Sequence, residues 1–159
     1  MESWIQGLVI LLVLSAGCVA EERPPKTEGK DLWNHITVVE PYNGFSYIPG
    51  HQGMYQSRGE HGAYIKTFVN DLALKSLREK MGVMRPGSVI VTENYNTEKQ
   101  LVAITAMYKV EGYDPDHGDW FWVMYSPGGA VEEEGKVRFC IACHAQRDYN
   151  DYVFSDEVR

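Results

Sequence analysis

The sequence predicts an α+β domain: a mostly antiparallel β-sheet with a few helices packed on one side. Three observations carry this. Residues 63–69, 88–95, 101–110 and 119–125 alternate in polarity or run through β-formers such as Val, Ile, Tyr and Trp. The connections after residue 88 are short, which suits antiparallel neighbours, because parallel pairing needs a long crossover. Helix signals are confined to short stretches near residues 31–36, 72–81 and 139–145.

Each element has a local reason. Asp31 is placed to cap a short helix carrying Leu32, Trp33 and Ile36. Residues 41–62 are rich in Gly, Tyr and Pro without a period, and read as an irregular, aromatic-packed segment with helical turns. Residues 63–69 form a strand. Asn70-Asp71 then caps a helix over 72–81, with Leu74, Leu77 and Met81 on its core stripe and Gly82 ending it. Pro86-Gly87 turns into the strand 88–95, and residues 96–99 make a hairpin turn to the strand 101–110. A polar loop over 111–118 leads to the strand 119–125, in which Trp120, Phe121 and Trp122 offer apolar core. Gly128-Gly129 opens an acidic segment with Glu132, Glu133 and Glu134, read as a solvated loop. A helical turn over 139–145 precedes the tail.

Ahead of the domain, residues 1–20 read as an export signal. Residues 5–14 are an apolar run of signal-peptide length, followed by Ser15, Ala16 and Gly17, although the start carries Glu2 and no Lys or Arg. Cys18 fits a lipoprotein processing site imperfectly, with Leu14 four residues before it. A rival cut after Ala20 would discard it. The expectation is therefore an exported, periplasmic protein, either anchored through a lipid on Cys18 or cleaved free. Residues 21–30 carry Pro24-Pro25 and Gly29 and read as a flexible tether, leaving 31–159 as one domain. The formal charge of −7, without a basic aromatic-interleaved patch, argues against nucleic-acid binding.

The chemistry sits near the C-terminus. Cys140-Ile141-Ala142-Cys143-His144 is the attachment signal of a c-type haem. Two thiols one helical turn apart reach one edge of a porphyrin and form thioethers with its vinyl groups. The next residue, His144, then lies under the iron as its proximal ligand. A structural zinc site would need two more ligands, usually a second Cys/His pair, and none is present in the sequence. A thioredoxin-like motif belongs near the start of a βαβ unit rather than about fifteen residues from the end. With Cys140 and Cys143 consumed by haem, Cys18 has no partner for an internal disulfide.

The position of the motif narrows the class. No Met or His follows His144, so no sixth ligand comes from downstream. A four-helix haem bundle is excluded by the strand character of residues 86–126. His35, His51, His61 and His117 are conceivable distal ligands, and no spacing singles one out. Met107 and Met124 fall on strands and read as packing.

In order, the pieces HGAYIKTFVND (61–71), GSVIVTENY (87–95), MYKVEGYDP (107–115), DWFWVMY (119–125), CIACH (140–144) and DYVF (151–154) resemble the cytochrome P-460 family over residues 33–154. The resemblance implies a mostly antiparallel β fold with haem c attached near the C-terminus. In cross-linked members a lysine just before the Glu of the GSVIV strand bonds to the porphyrin. Here that place is Thr92, followed by Glu93, and threonine has no amine to form the bond. In that respect the chain is similar to cytochromes c′-beta. The likeness to them implies homodimers whose five-coordinate haem binds nitric oxide and other small gases. By the motif match Lys66 lies on the distal side. It is either a cation near the sixth position or an ordinary exposed strand lysine. Thr92 either donates a hydrogen bond to a bound diatomic or fills space.

The expected function is a mono-haem c-type cytochrome with an open distal site that takes nitric oxide or a related small ligand. The alternative is an oxidoreductase that oxidises hydroxylamine or nitric oxide and passes electrons to a partner cytochrome. Thr92 moves weight to the first.

Overall fold

The computed structural model describes residues 24–155. The expected export signal and Cys18 lie outside the described residues.

Among the described residues the architecture is a seven-stranded antiparallel sheet with three α-helices. The strands are β1 (Ser46–Tyr47), β2 (Tyr55–Gln56), β3 (Tyr64–Val69), β4 (Val89–Tyr95), β5 (Leu101–Lys109), β6 (Trp120–Tyr125) and β7 (Val131–Gly135). The helices are α1 (Gly29–Asn34), α2 (Asp71–Glu79) and α3 (Arg138–His144). From β3 to β7 each strand pairs with the next one in sequence, and both β1 and β2 pair with the outer edge of β3. The order follows from the short connections predicted after residue 88.

The register decides which side chains share a face. Thr67 stands opposite Thr92, and Thr92 opposite Thr105; Lys66 stands opposite Glu93. Side chains alternate across a strand. The sheet therefore has a haem-motif face carrying Thr67, Val69, Ile90, Thr92, Met107, Trp120 and Trp122. The opposite face carries Phe68, Val89, Val91, Tyr108, Phe121 and Val123. Both are cores. α2, through Ala73 and Leu77, and α3, through Ile141 and the Val137 that precedes it, cover the first face. α1, through Leu32, and the π-helical turn after it, through Ile36, cover the second. Helices thus lie on both faces rather than on one side. The sequence between residues 63 and 125 is apolar on both parities, so each face needs a cover.

Several local expectations are corrected. α1 begins at Gly29, with Glu28 at its N-cap, and Asp31 lies in its first turn rather than capping it. The capping bond comes from far along the chain: the Gly29 N–H donates to Glu134 Oε2 at 2.6 Å. Tyr125 Oη donates to the Gly29 carbonyl at 2.8 Å. Gly29 and Lys30 thus belong to the fold rather than to a tether. The helix continues as a π-helical stretch, His35–Val39. The supposed acidic loop is the edge strand β7, whose glutamates face solvent and discourage edge pairing. Within residues 41–62 lie a 3₁₀ turn, Tyr42–Gly44, and the short strands β1 and β2. α2 stops at Lys80, which takes a left-handed φ of 50°, two residues before Gly82. Met81 is exposed, and Ala73, Ser76 and Leu77 are the buried positions of α2.

The cap of α2 is as expected. Asn70 Oδ1 accepts from the Ala73 N–H at 3.0 Å and from the Val89 N–H at 3.0 Å, while Nδ2 donates to the Gly87 carbonyl at 3.0 Å. One buried side chain joins the helix start to the start of β4.

The C-terminal segment is held by a buried ion pair. Lys109 Nζ lies 2.7 Å from each oxygen of Asp151 and donates to the Gly118 carbonyl at 2.6 Å. Asp151 Oδ2 also accepts from the Met84 N–H at 2.6 Å, and the Asp151 carbonyl accepts from Trp120 Nε1 at 2.9 Å. Burial raises the Asp151 pKa despite the opposing Lys109 ammonium and Met84 N–H. Asp151 and Tyr152 both adopt left-handed backbone, with φ of 53° and 66°, so the chain reverses here after the haem helix.

Candidate haem site

α3 carries the attachment motif over residues 138–144. Helical spacing places Cys140 and Cys143 one turn apart on one side of it. Both thiols are free, and burial pushes the Cys140 thiol up to about 11, so it rests protonated. Cys140 packs partly against the core, while Cys143 and His144 line a cavity of about 820 Å³. That is within the roughly 300–1,000 Å³ of sites that hold a bound small molecule.

The orientation of His144 follows from the chain reversal. Its Nδ1 lies 2.7 Å from the Tyr152 carbonyl. A carbonyl only accepts, so Nδ1 carries the proton and Nε2 keeps a free lone pair. Metal-binding histidines are commonly fixed in this way. The ring packs edge-on against Trp122 at 4.7 Å and Phe154 at 5.1 Å. Burial lowers its pKa to about 4, so the imidazole is neutral, the form that binds a metal. The N–H of Trp122 is buried with no hydrogen-bond partner, a donor beside His144 that the polypeptide leaves unused.

The rest of the cavity wall comes from the sheet and from the segment before β3. Ile65, Thr67, Ile90, Thr92 and Met107 contribute from β3, β4 and β5; His51, Tyr55, Arg58, Glu60 and His61 face them. Tyr55 Oη and Thr67 Oγ1 are 2.9 Å apart, and Thr92 Oγ1 is 3.4 Å from Thr67 Oγ1, which makes a short row of hydroxyls on one wall. Among the described residues lining the cavity none is a lysine.

The structure brings Cys143, His144 and Thr92 to one cavity and leaves Lys66 out of it. Lys66 Nζ sits 3.4 Å from Glu93 Oε2 and 5.1 Å from the Tyr95 ring centre, on the opposite face of the sheet. The physical reason is parity. Thr67 and Thr92 are register partners facing the cavity, so their neighbours Lys66 and Glu93 must face away. Of the four histidines considered, His35 pairs with Glu40 at 3.6 Å and His117 with Asp114 at 3.0 Å, neither in the cavity wall. His51 lines the cavity and stacks on Tyr55 with ring centres 4.0 Å apart. His61 lines it too, with its ring centre 6.0 Å from that of His144. Met107 lines the cavity and Met124 does not. Arg58 and Arg147, both in the wall, carried no signal in the sequence, since neither falls in a motif.

Two free thiols one turn apart, a neutral imidazole with its other nitrogen tied down, and a cavity at their side fit a covalently attached haem. Cys140 and Cys143 would hold the porphyrin edge and His144 the iron. When bound, the group would supply an iron capable of changing redox state. The protein orients the proximal imidazole and keeps it in one tautomer. Ile65, Ile90, Met107 and Phe154 add apolar side chains to the cavity wall.

No curated protein matches the sequence. The family model for cytochrome P460 matches residues 48–155, more than half of the chain and the whole of the cavity described above. With that match, the motif on α3 and the antiparallel sheet beside it, the chain belongs to the cytochrome P460 family, and its cofactor is haem c with iron.

Proposed function

We propose that this haem c protein binds nitric oxide or a related small nitrogen oxide on the iron face opposite His144. The observation that carries the reading is Thr92. It lines the cavity from β4 where cross-linked members carry their lysine, and no described residue in that wall has a primary amine. The site therefore lacks the group that would bond a second time to the porphyrin, and ligand binding is favoured over hydroxylamine oxidation.

The test is the optical spectrum of the purified protein, ferric and ferrous, with and without nitric oxide. An ordinary c-type spectrum that shifts on nitric oxide addition supports the reading. A red-shifted ferrous band would indicate a porphyrin cross-link and favour the oxidase. Intact mass provides a second check: it should equal the polypeptide plus unmodified haem c, after any lipid is counted.

The proposal extends to where the protein works. The leader and the haem attachment suit export to the periplasm, either free or anchored by lipid on Cys18. Fractionation of the wild type and Cys18→Ser separates these: an anchored wild type moves to the soluble fraction on substitution, whereas a cleaved one is soluble in both and begins at Glu21. A homodimer, expected from the family likeness, is checked by sedimentation of the haem-loaded protein.

A further inference from the structure

We propose that His61 is the second axial ligand of the haem iron, closing the distal position until an incoming small molecule displaces it. This rests on the assignment of His144 as the proximal ligand, and it replaces the five-coordinate resting iron expected from the family likeness.

Three observations carry it. The first is spacing. An imidazole nitrogen binds a transition metal at about 2.0–2.1 Å, so two on opposite sides of one ion have ring centres a little over 6 Å apart. The rings of His61 and His144 are 6.0 Å apart, centre to centre, with their planes at 89°, and both line the same cavity. Mutually perpendicular planes are compatible with two imidazoles sharing one axis through an iron.

The second is tautomer. Asn94 Nδ2 donates to the carbonyls of Thr92 at 3.2 Å and Ala103 at 3.3 Å, which fixes its amide so that Oδ1 faces His61. His61 Nδ1 lies 3.0 Å from that oxygen and 3.4 Å from Thr105 Oγ1, so Nδ1 holds the proton. The free lone pair is then on Nε2, as in His144. A neutral imidazole in this tautomer cannot donate from Nε2 to a bound gas, but it can bind a metal, and the tied second nitrogen is the usual mark of a ligating histidine.

The third is anchoring. The residue after His61 is Gly62, with φ of 81°, and a Cβ there would lie 2.6 Å from the Tyr95 carbonyl oxygen. The next N–H, of Ala63, donates to that same carbonyl at 2.8 Å. The segment bearing His61 is therefore held against the end of β4, and Asn94 on that strand holds the ring. His51, the other histidine of the wall, stacks on Tyr55 instead of being held by a fixed acceptor.

The experiment uses the full-length, haem-loaded protein at neutral pH, read by optical absorption, resonance Raman and low-temperature electron paramagnetic resonance of the ferric form. The wild type is expected to be low-spin and six-coordinate with a two-imidazole signature. His61→Ala should become high-spin and five-coordinate, with haem still covalently attached, and free imidazole should restore the low-spin form. His51→Ala should stay low-spin. If His61 holds the iron in about nine molecules of ten, apparent affinity for carbon monoxide should rise about tenfold in His61→Ala, because only the open fraction of the wild type can bind. A high-spin wild type overturns the proposal without recourse to any variant. Conversion to high spin by His51→Ala rather than His61→Ala overturns it too. Nitric oxide titration keeps the two readings apart: a high-spin wild type that binds nitric oxide removes only the role of His61. A low-spin wild type that refuses nitric oxide, while His61→Ala also refuses it, removes only the ligand-binding function.

Discussion

Two residues set the character of the site. His144 is neutral because burial lowers its pKa from the ordinary 6.5 to about 4. In the haem-free protein this has a definite sign. A group whose pKa is depressed on folding stabilises the fold above its unfolded value and loses that contribution as pH falls towards its folded value. Haem-free protein should therefore lose urea stability between about pH 6.5 and 4 through this residue. His144→Gln should remove that part of the pH dependence. Thr92 is the other. Thr92→Lys places an amine on the cavity wall; with hydrogen peroxide added as the two-electron oxidant that takes up the hydrogens lost when N–H and C–H become C–N, a mass lower than that of the polypeptide plus haem by those hydrogens, with the modified peptide mapping to residue 92, is the expected result. Recovery of the unmodified mass alone would mean that more than an amine on β4 is needed. Both residues stood out in the sequence, one by motif and one by family likeness. His61 did not, because nothing in the order of residues separates it from His35, His51 or His117.

At the scale of elements, the cap of α2 and the entry to β4 depend on one side chain. Asn70→Ala removes an N-cap, which costs about 0.5–2 kcal/mol. It also leaves the buried Val89 N–H without its acceptor, which adds about 1–3 kcal/mol. A loss of about 2–4 kcal/mol in urea unfolding is expected, above that of a simple cap. Asn70→Asp keeps the acceptor but loses the Nδ2 donor and sets a carboxylate oxygen against the Gly87 carbonyl, so it should recover only part of it. The turn before β7 is equally constrained. Gly129 has φ of 85°, and a Cβ there would run into the Trp33 ring. Gly129→Ala must displace Trp33, which packs on Tyr125 at 4.8 Å, and should lower the midpoint of unfolding without changing the haem spectrum. The cap at Asn70 was legible from the sequence because its partner Ala73 is three residues away. The bond from Glu134 to Gly29 was not, since its ends are far apart in sequence and meet only once β7 lies beside α1.

Across the whole molecule, the buried Lys109–Asp151 pair links the sheet to the orientation of His144. Asp151 precedes Tyr152, whose carbonyl holds Nδ1 of that imidazole. Removing one partner leaves an uncompensated buried charge, at a cost of about 3–5 kcal/mol. Lys109→Met is therefore expected to destabilise the protein by that order. It should also broaden or shift the iron–histidine vibration in the ferrous five-coordinate state, which is reached by combining it with His61→Ala. A stability loss with an unchanged vibration would mean that the chain reversal at residues 151–152 holds without the ion pair. The double variant Lys109→Met, Asp151→Leu should lose less than Lys109→Met alone, because it removes the charge rather than stranding it.

What the sequence alone determined were the features whose partners are close along the chain. The haem attachment signal, the Asn70 cap, the meander of strands after residue 88 and the α+β class all rest on spacings of two to about ten residues, which side-chain periodicity and turn chemistry express directly. The tertiary structure decided what depends on register and packing. It placed α1 on the second face of the sheet, made the run Glu132 to Glu134 an edge strand, turned Lys66 away from the cavity and brought His61 opposite His144. A strand's alternation says which residues share a face but not which face meets the cofactor. A shift of register by one residue would exchange Lys66 for Thr67. Only the pairing of β3 with β4, and the closure of the segment before it against Tyr95, resolves that choice.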